Sequence, residues 1–268
     1  MGQLNYYDNI ADIYDQSRWL NEAIASEVTD FILKLVKANS ETCFLEPGVG
    51  TGLNILPLAK RGYAVTGIDI SSEMLSQLRQ KVGNQAPNLT LIQGDASTLP
   101  LLDASFDVVL VVHMSHVVSS LETFAAEIHR VLKPGGFFLC AQWLLPAARL
   151  KFENQFRAIA SHYTPKIEPF RQYKRFIDDI ELSDHLLKRG YEEHYFKVKE
   201  WMIKNSVGEL LENLQSRAYG YCWRVEEDVF KQIMEDFTAF CLEHYDSLAE
   251  EIVSQARYEI WSYQKPAL

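Results

Sequence analysis

The sequence predicts an α/β fold built on a mainly parallel, doubly wound sheet, and three observations carry that prediction. Short apolar runs alternate with helix-period segments between residues 21 and 143, a pattern that selects parallel strands joined by crossover helices. The run Val108–Val112 is continuously apolar, as suits a parallel strand covered on both faces. The strand at Thr42–Glu46 runs straight into Pro47-Gly48-Val49-Gly50-Thr51-Gly52. A glycine turn there stands at the carboxyl end of a strand, where open α/β sheets hold their ligands.

Length and composition bound the rest. A chain of 268 residues suits one enlarged domain or a domain with a substantial cap. The formal net charge of −10 disfavours non-specific nucleic-acid binding, which relies on basic patches. Cys43, Cys140, Cys222 and Cys241 form no C-x-x-C pair, so a reducing compartment without disulfides or structural zinc is expected. No apolar run approaches the roughly 18 residues of a membrane span, and the polar N-terminus lacks a signal-peptide core. The expectation is a cytoplasmic monomer or homodimer with no membrane partner.

Taken in order, residues 5–20 carry aspartates and aromatics in a pattern too interrupted for a good isolated helix. Residues 21–38 place Ile24, Val28, Phe31, Ile32, Leu35 and Val36 at helix spacing. After the strand at Thr42–Glu46, a helix is expected from Leu53 to Arg61, closed by Gly62. A strand at Tyr63–Asp69 follows, then a helix capped by Ser71 or Ser72 that runs to Val82. Leu89–Gln93 reads as the third strand and Val108–Val112 as the fourth. A helix at Leu121–Leu132 ends in Lys133-Pro134-Gly135-Gly136, and Phe137–Trp143 is the fifth strand. Residues 144–178 are longer than a connection needs; Arg149, Phe152, Phe156, Tyr163, Phe170, Tyr173 and Phe176 among charges suggest a lid. A helix at Asp178–Arg189, a strand at Tyr191–Trp201, helical spacing across 206–250 and a closing strand at Ala256–Tyr263 complete the chain.

The glycine spacing sorts the candidate motifs. A dinucleotide fingerprint starting at Gly48 and Gly50 needs its third glycine at position 53, which is Leu53. The Gly-Lys-Ser/Thr of a P-loop does not occur. Glu46 would repel a pyrophosphate but tolerates a ligand that is cationic or rich in hydroxyl and amine groups. Asp69 stands 23 residues past Glu46 at a strand end, placed to accept from ribose hydroxyls. Asp95, after Gly94, reads either as an acceptor for an exocyclic amine or as a turn residue. Met74 reads as core filling or as a soft wall beside a base.

Together Glu46–Gly52, Asp69, Gly94–Asp95, Phe106–Asp107 and the R-V-L-K-P-G-G run at Arg130–Gly136 resemble the class I S-adenosylmethionine-dependent methyltransferases of the type 11 group. The likeness is good over residues 42–143 and architectural beyond them. It implies a Rossmann-like, seven-stranded, mainly parallel sheet of order 3-2-1-4-5-7-6, the last strand antiparallel, with helical cap insertions. It divides the chain into an N-terminal lid and helix (1–41), a cofactor-binding core (42–143), and cap insertions with closing strands (144–268). The Tyr7-Asp8…Tyr14-Asp15 pattern resembles the segment that folds over the cofactor in this family. The resemblance implies that Tyr14 packs on S-adenosylmethionine, that Arg18 reaches its carboxylate, and that Val112 offers a carbonyl to its ammonium. Glu46, Gly48, Gly50 and Gly52 frame it, Asp69 takes the ribose, Met74 and Asp95 the adenine; Ile70 and Ala96 complete the set.

Methyl transfer from a sulfonium asks the protein mainly for proximity and alignment, with a base only where the nucleophile is protonated. His116 and His113, just past the fourth strand, are the base or substrate-contact candidates; loop histidines are equally often held by structural hydrogen bonds. Two histidines three residues apart without a third ligand do not make a metal site. Trp143, Arg149, Tyr163, Tyr173, Tyr219, Tyr221 and Trp223 either line a substrate pocket or fill the core. No Asn/Asp-Pro-Pro-Tyr stretch, the mark of base-amine methylation, is present. The expected function is methyl transfer to an O, N or C nucleophile of a small molecule, with S-adenosylhomocysteine as product. The alternatives are a protein or tRNA substrate, or a binding module without methyl transfer. A nicotinamide oxidoreductase fails at Leu53 and Glu46.

Overall fold

The computed structural model describes residues 4–83, 85–167 and 177–267. Phe170, Tyr173 and Phe176 lie outside them. A seven-stranded sheet of order β3-β2-β1-β4-β5-β7-β6 organises the molecule. Strands β1 (Cys43–Pro47), β2 (Ala64–Asp69), β3 (Leu89–Gln93), β4 (Phe106–Val112) and β5 (Leu132–Leu144) are parallel. Strand β7 (Glu251–Gln264) runs antiparallel to both β5 and β6 (Glu192–Ser206), as expected.

The side-chain alternation of the central strands builds two cores. On one face Phe44, Val65, Val108 and Leu110 meet helices α2 (Glu22–Leu35), α3 (Leu56–Lys60) and α4 (Ser72–Val82) through Ile24, Val28, Leu58, Leu75 and Leu78. On the other, Leu45, Ile68, Val109 and Val111 meet α5 (Leu121–Val131) and α7 (Ile177–Leu187) through Phe124, Ile128 and Leu182. Each such side chain, fully buried, contributes about 1.5–3 kcal/mol, so strand register is fixed from both sides. Side-chain caps set the helix starts: Asn21 accepts from Ile24 N–H, Ser71 from Met74 N–H and Ser120 from Thr123 N–H.

A third core lies in the cap. Helix α6 (Ala147–Ala160), α8 (Val207–Gln215) and α9 (Glu227–His244) enclose Phe152, Phe156, Leu210, Leu214, Phe230 and Phe237, and the Phe237 ring meets Phe152 and Phe156 edge-on at 5.2 and 5.3 Å. The N-terminal segment, with α1 (Leu4–Asn9) and a 3-10 turn at Asp15–Ser17, crosses the carboxyl ends of the central strands.

Four elements depart most from expectation. Pro57 near the start of α3 shortens that helix to Leu56–Lys60, leaving residues 50–55 as turns. Strand β5 begins at Leu132, directly after α5, because the Lys-Pro-Gly-Gly run is absorbed as a bulge: Phe106 pairs with Leu132 but Val108 with Phe137. A Cβ on Gly136 would stand 2.9 Å from the Asp107 carbonyl oxygen, which explains a glycine there. Strands β6 and β7 are both longer than their apolar alternation suggested. They continue past the sheet as a two-stranded ribbon, Trp201–Ser206 against Glu251–Ala256, whose tip carries α8 and α9. Along β6 no residue of the ribbon is buried, so Trp201–Ser206 lacks the core-facing stripe that marks a strand in sequence.

Candidate functional site

The site begins where β1 ends. Gly48 N–H and Val49 N–H both donate to the Ile68 carbonyl, at 2.7 and 2.9 Å, which folds the turn against β2. Gly48 adopts φ +73°, and a Cβ there would lie 2.1 Å from Met114 Sδ; any side chain would both strain the backbone and displace the loop after β4. Gly50 is also left-handed (φ +52°), yet no atom stands within 4 Å of where its Cβ would be. Its N–H donates to Asp69 Oδ2 at 2.7 Å. The turn is tied to the protein on one side and open on the other.

Two carboxyls flank it. Glu46, 1% exposed, ends β1; its Oε1 accepts from Asn54 Nδ2 at 3.2 Å, while Oε2 is buried without a hydrogen-bond partner. Burial drives its pKa well above the ordinary carboxyl value, opposed by the Asn54 bond and reinforced by Asp69. Asp69 ends β2 and accepts from Gly50 N–H and, through Oδ1, from Ser71 N–H at 2.9 Å. Burial raises it too, against these backbone donors. Ile70, next in line, is 42% exposed, an apolar side chain facing out beside a polar cluster. After β3, Asp95 is exposed with Oδ1 accepting from Ser97 N–H at 2.7 Å, and Ala96 is buried.

The N-terminal segment is strapped over this cluster. Asp8 accepts from the Ser71 hydroxyl, Asp15 accepts from Thr51 Oγ1, and Lys81 of α4 pairs with Asp15 while donating to the Thr51 carbonyl at 2.9 Å. Ile10 and Ala11 pack with Met74 and Trp223, leaving Met74 2% exposed. Tyr7 meets the Trp223 ring edge-on at 4.9 Å, so the strap touches the cap as well as the core. The Arg18 guanidinium lies over the Tyr14 ring at 3.9 Å and donates to Ser17 Oγ at 2.6 Å. Sequence reasoning missed Asp15, Thr51, Lys81 and Asn54. Lys81 reads as an ordinary basic residue in a last helical turn, and only the fold brings it to Asp15.

Val112 is buried at the end of β4, and His113 leaves it at φ +54°. His113 Nε2 accepts from the Trp143 N–H at 3.2 Å and the two rings meet edge-on at 4.7 Å. Burial, with His116 and Arg18 nearby, lowers its pKa to about 3, so its ring is neutral at physiological pH. His116 is exposed in the 3-10 turn Ser115–Val117; crowding by the protein lowers its pKa, with Asp179 and Asp178 opposing.

Of the pocket candidates, Trp143, Arg149 and Trp223 are buried. Arg149 pairs with Glu153 at 3.1 Å, donates to Tyr219 and to the Ser17 carbonyl, and lies 4.7 Å from the Trp19 ring centre. Tyr219 and Tyr221 stack at 5.7 Å. Tyr163 is exposed and bonds Asp236, away from the group, and Tyr173 lies outside the described residues.

Comparison with known proteins meets this geometry. Residues 45–140 match the family model described as "Methyltransferase domain", a span that runs from β1 through the glycine turn to β5. Over this span the chain is similar to methyltransferase domains. A fatty-acid O-methyltransferase of Mycolicibacterium smegmatis is 38% identical over 92 residues, 34% of this chain and 33% of that one. The matches span less than half the length of the curated relatives. Among solved structures, the [4+2]-cyclase SpnF superposes with a TM-score of 0.60 at 18% identity, over 99% of this chain and 95% of that one. A phosphoethanolamine N-methyltransferase 2 of Haemonchus contortus, solved with S-adenosyl-L-methionine, gives 0.54 at 16% identity, over 98% of this chain and 58% of that one. At these identities the structural likeness speaks for the fold. Among the described residues no helix is long and apolar enough to cross a membrane.

Proposed function

We propose that this chain is an S-adenosylmethionine-dependent methyltransferase acting on an O, N or C nucleophile of a small molecule and releasing S-adenosylhomocysteine. The observation that carries the reading is the pairing of a buried, unpartnered carboxyl oxygen on Glu46 with a left-handed turn at Gly50 that is open where a side chain would stand. Such an arrangement suits a ligand with an ammonium and hydroxyls, and opposes a phosphate. The match to a methyltransferase domain, and a structural neighbour from Haemonchus solved in complex with S-adenosyl-L-methionine, support the same ligand.

When bound, the cofactor supplies a methyl group on a sulfonium with a good leaving group. The protein's own residues then bind and orient. Gly48, Gly50 and Gly52 let the ligand approach the backbone, and Glu46 faces its ammonium together with the Val112 carbonyl. Asp69 keeps lone pairs for ribose hydroxyls beyond the two N–H groups it already accepts from. Ile70, Met74, Asp95 and Ala96 take the adenine end. Tyr14 and Arg18 close the site, with Arg18 toward the carboxylate. His116 is the base or substrate-contact candidate. His113 would have to give up the Trp143 N–H to act as a base at Nε2, so we read it as the less suited of the two. Residues 1–41 serve as strap and helix, 42–143 as the binding core and 144–268 as cap and closing strands. The pocket roof then comes from Arg149, Tyr219, Tyr221 and Trp223.

A second reading, the same site serving a reaction other than methyl transfer, draws on the neighbour named as a cyclase. One experiment separates them. The protein is titrated calorimetrically with S-adenosylhomocysteine, then incubated with S-adenosylmethionine and a small-molecule extract and followed by mass spectrometry. Binding together with a product heavier by one methylene is the expected result. Binding without such a product in any extract moves the assignment to the second reading, and absence of binding removes both.

A further inference from the structure

Glu46 and Asp69 are both buried, but they are solvated unequally by the protein. Asp69 accepts from two backbone N–H groups, Gly50 at 2.7 Å and Ser71 at 2.9 Å, which favour its ionised form. Glu46 accepts from one side-chain amide, Asn54 Nδ2 at 3.2 Å, and its Oε2 has nothing. The groups that face it are Asp69 from β2, the Tyr258 phenol from β7 and Asn54 from the turn before α3. Among the described residues no Lys, Arg or His pairs with it. An isolated charge in such a place is costly, and a carboxyl avoids the cost by keeping its proton.

Asn54 decides which oxygen holds that proton. Its Nδ2 donates to Glu46 Oε1, and its Oδ1 accepts from the Tyr258 hydroxyl at 3.3 Å. In this orientation the fully buried Tyr258 hydroxyl donates to Oδ1 and so turns Nδ2 toward Glu46, which makes Oε1 an acceptor and leaves Oε2 to titrate.

We propose that Glu46 is protonated in the ligand-free protein and releases that proton to solvent when an ammonium settles against Oε2, with Asn54 and Tyr258 as positioning residues for the exchange. The Glu46 O–H bond breaks, the proton leaves on a buffer base, the ligand ammonium keeps its own protons, and an ion pair replaces a neutral carboxyl. Cofactor binding is thereby proton-linked. The raised pKa of Glu46, caused chiefly by burial, agrees with this. The inference rests on the cofactor reading above.

The test is calorimetric titration of the whole chain with S-adenosylhomocysteine in phosphate and in Tris, buffers of very different ionisation enthalpy, from pH 5.5 to 8. The expected result is release approaching one proton per ligand at the acid end, falling toward zero as pH rises through the ligand-free pKa of Glu46. Glu46→Gln should bind about tenfold or more weakly, with an enthalpy that no longer depends on buffer. Tyr258→Phe should bind within about threefold of wild type, yet move the midpoint of the release profile, a shift that a purely packing role would not produce. Wild-type binding with a buffer-independent enthalpy at every pH overturns the proposal, as does unchanged release in Glu46→Gln. If the glutamine variant does not fold, the wild-type buffer dependence and the Tyr258→Phe profile still decide. Absence of any binding by wild type would instead strike the cofactor reading, and the coupling with it.

Discussion

Asp69 braces the fold at the position proposed to take the ligand's ribose. Its oxygens hold the glycine turn through Gly50 and the start of α4 through Ser71, and hydrogen bonds to a charged acceptor contribute about 1.5–3 kcal/mol each. Asp69→Ala removes this brace and the ribose acceptor at once. Affinity for S-adenosylhomocysteine should fall by roughly 10- to 100-fold, read by calorimetry, while circular dichroism still reports a folded sheet. Unchanged affinity in a folded variant would remove the ribose assignment. The position of Asp69 at the strand end beside the glycine turn was legible in sequence, because an acid about 20 residues past such a turn has a mechanical reason to be there. The condition of His113 was not. Its left-handed backbone and its bond from Trp143 N–H depend on how β4 and β5 register, which no local pattern encodes.

At the scale of elements, the strap is the part on which sequence was weakest. Its aspartates interrupt a helix, and their partners Ser71, Thr51 and Lys81 come from distant turns and a helix end. The half-buried Lys81–Asp15 pair and the Lys81 bond to the Thr51 carbonyl join α4, the glycine turn and the strap. Partly exposed ion pairs contribute about 0.2–1 kcal/mol, so Lys81→Met should accelerate release of S-adenosylhomocysteine by roughly two- to fivefold. Stopped-flow tryptophan fluorescence, with Trp19 and Trp223 near the strap, would read it. A release rate equal to wild type would mean the strap is held without Lys81, by the Asp8–Ser71 and Asp15–Thr51 bonds and the packing of Ile10, Ala11 and Tyr7. The central strands, by contrast, were readable because both faces are buried and their apolar runs are unbroken. The β6–β7 ribbon was only half readable: no residue of β6 is buried, so Trp201–Ser206 shows none of the core-facing alternation that marks the central strands.

Across the whole molecule, the sheet carries two cores and lends its carboxyl ends to a strap and a cap that meet at Tyr7 and Trp223. A buried acid at the end of β1 sets binding against stability. The pKa of Glu46 is raised on folding, chiefly by burial. Its contribution to stability is therefore fully present below the unfolded carboxyl value, and is lost as pH rises through the folded value. Without ligand, Glu46 makes the protein less stable at pH 8 than at pH 5. Glu46→Gln keeps the shape and the Asn54 donor's acceptor, and it cannot ionise. The variant should melt within error of wild type at pH 5 and higher than wild type at pH 8, each kcal/mol appearing as about 2–4 °C for a domain of this size. Saturating S-adenosylhomocysteine should reverse that order at pH 8, because the ligand ammonium neutralises the wild-type carboxylate and leaves the glutamine without a counter-charge. Melting curves of both proteins at the two pH values, with and without ligand, give the comparison. A variant less stable than wild type at pH 5 and pH 8 alike, in the absence of ligand, would mean that Glu46 is held there for packing. A crossover that depends on both pH and ligand is what a binding carboxyl kept at a cost to the empty fold produces.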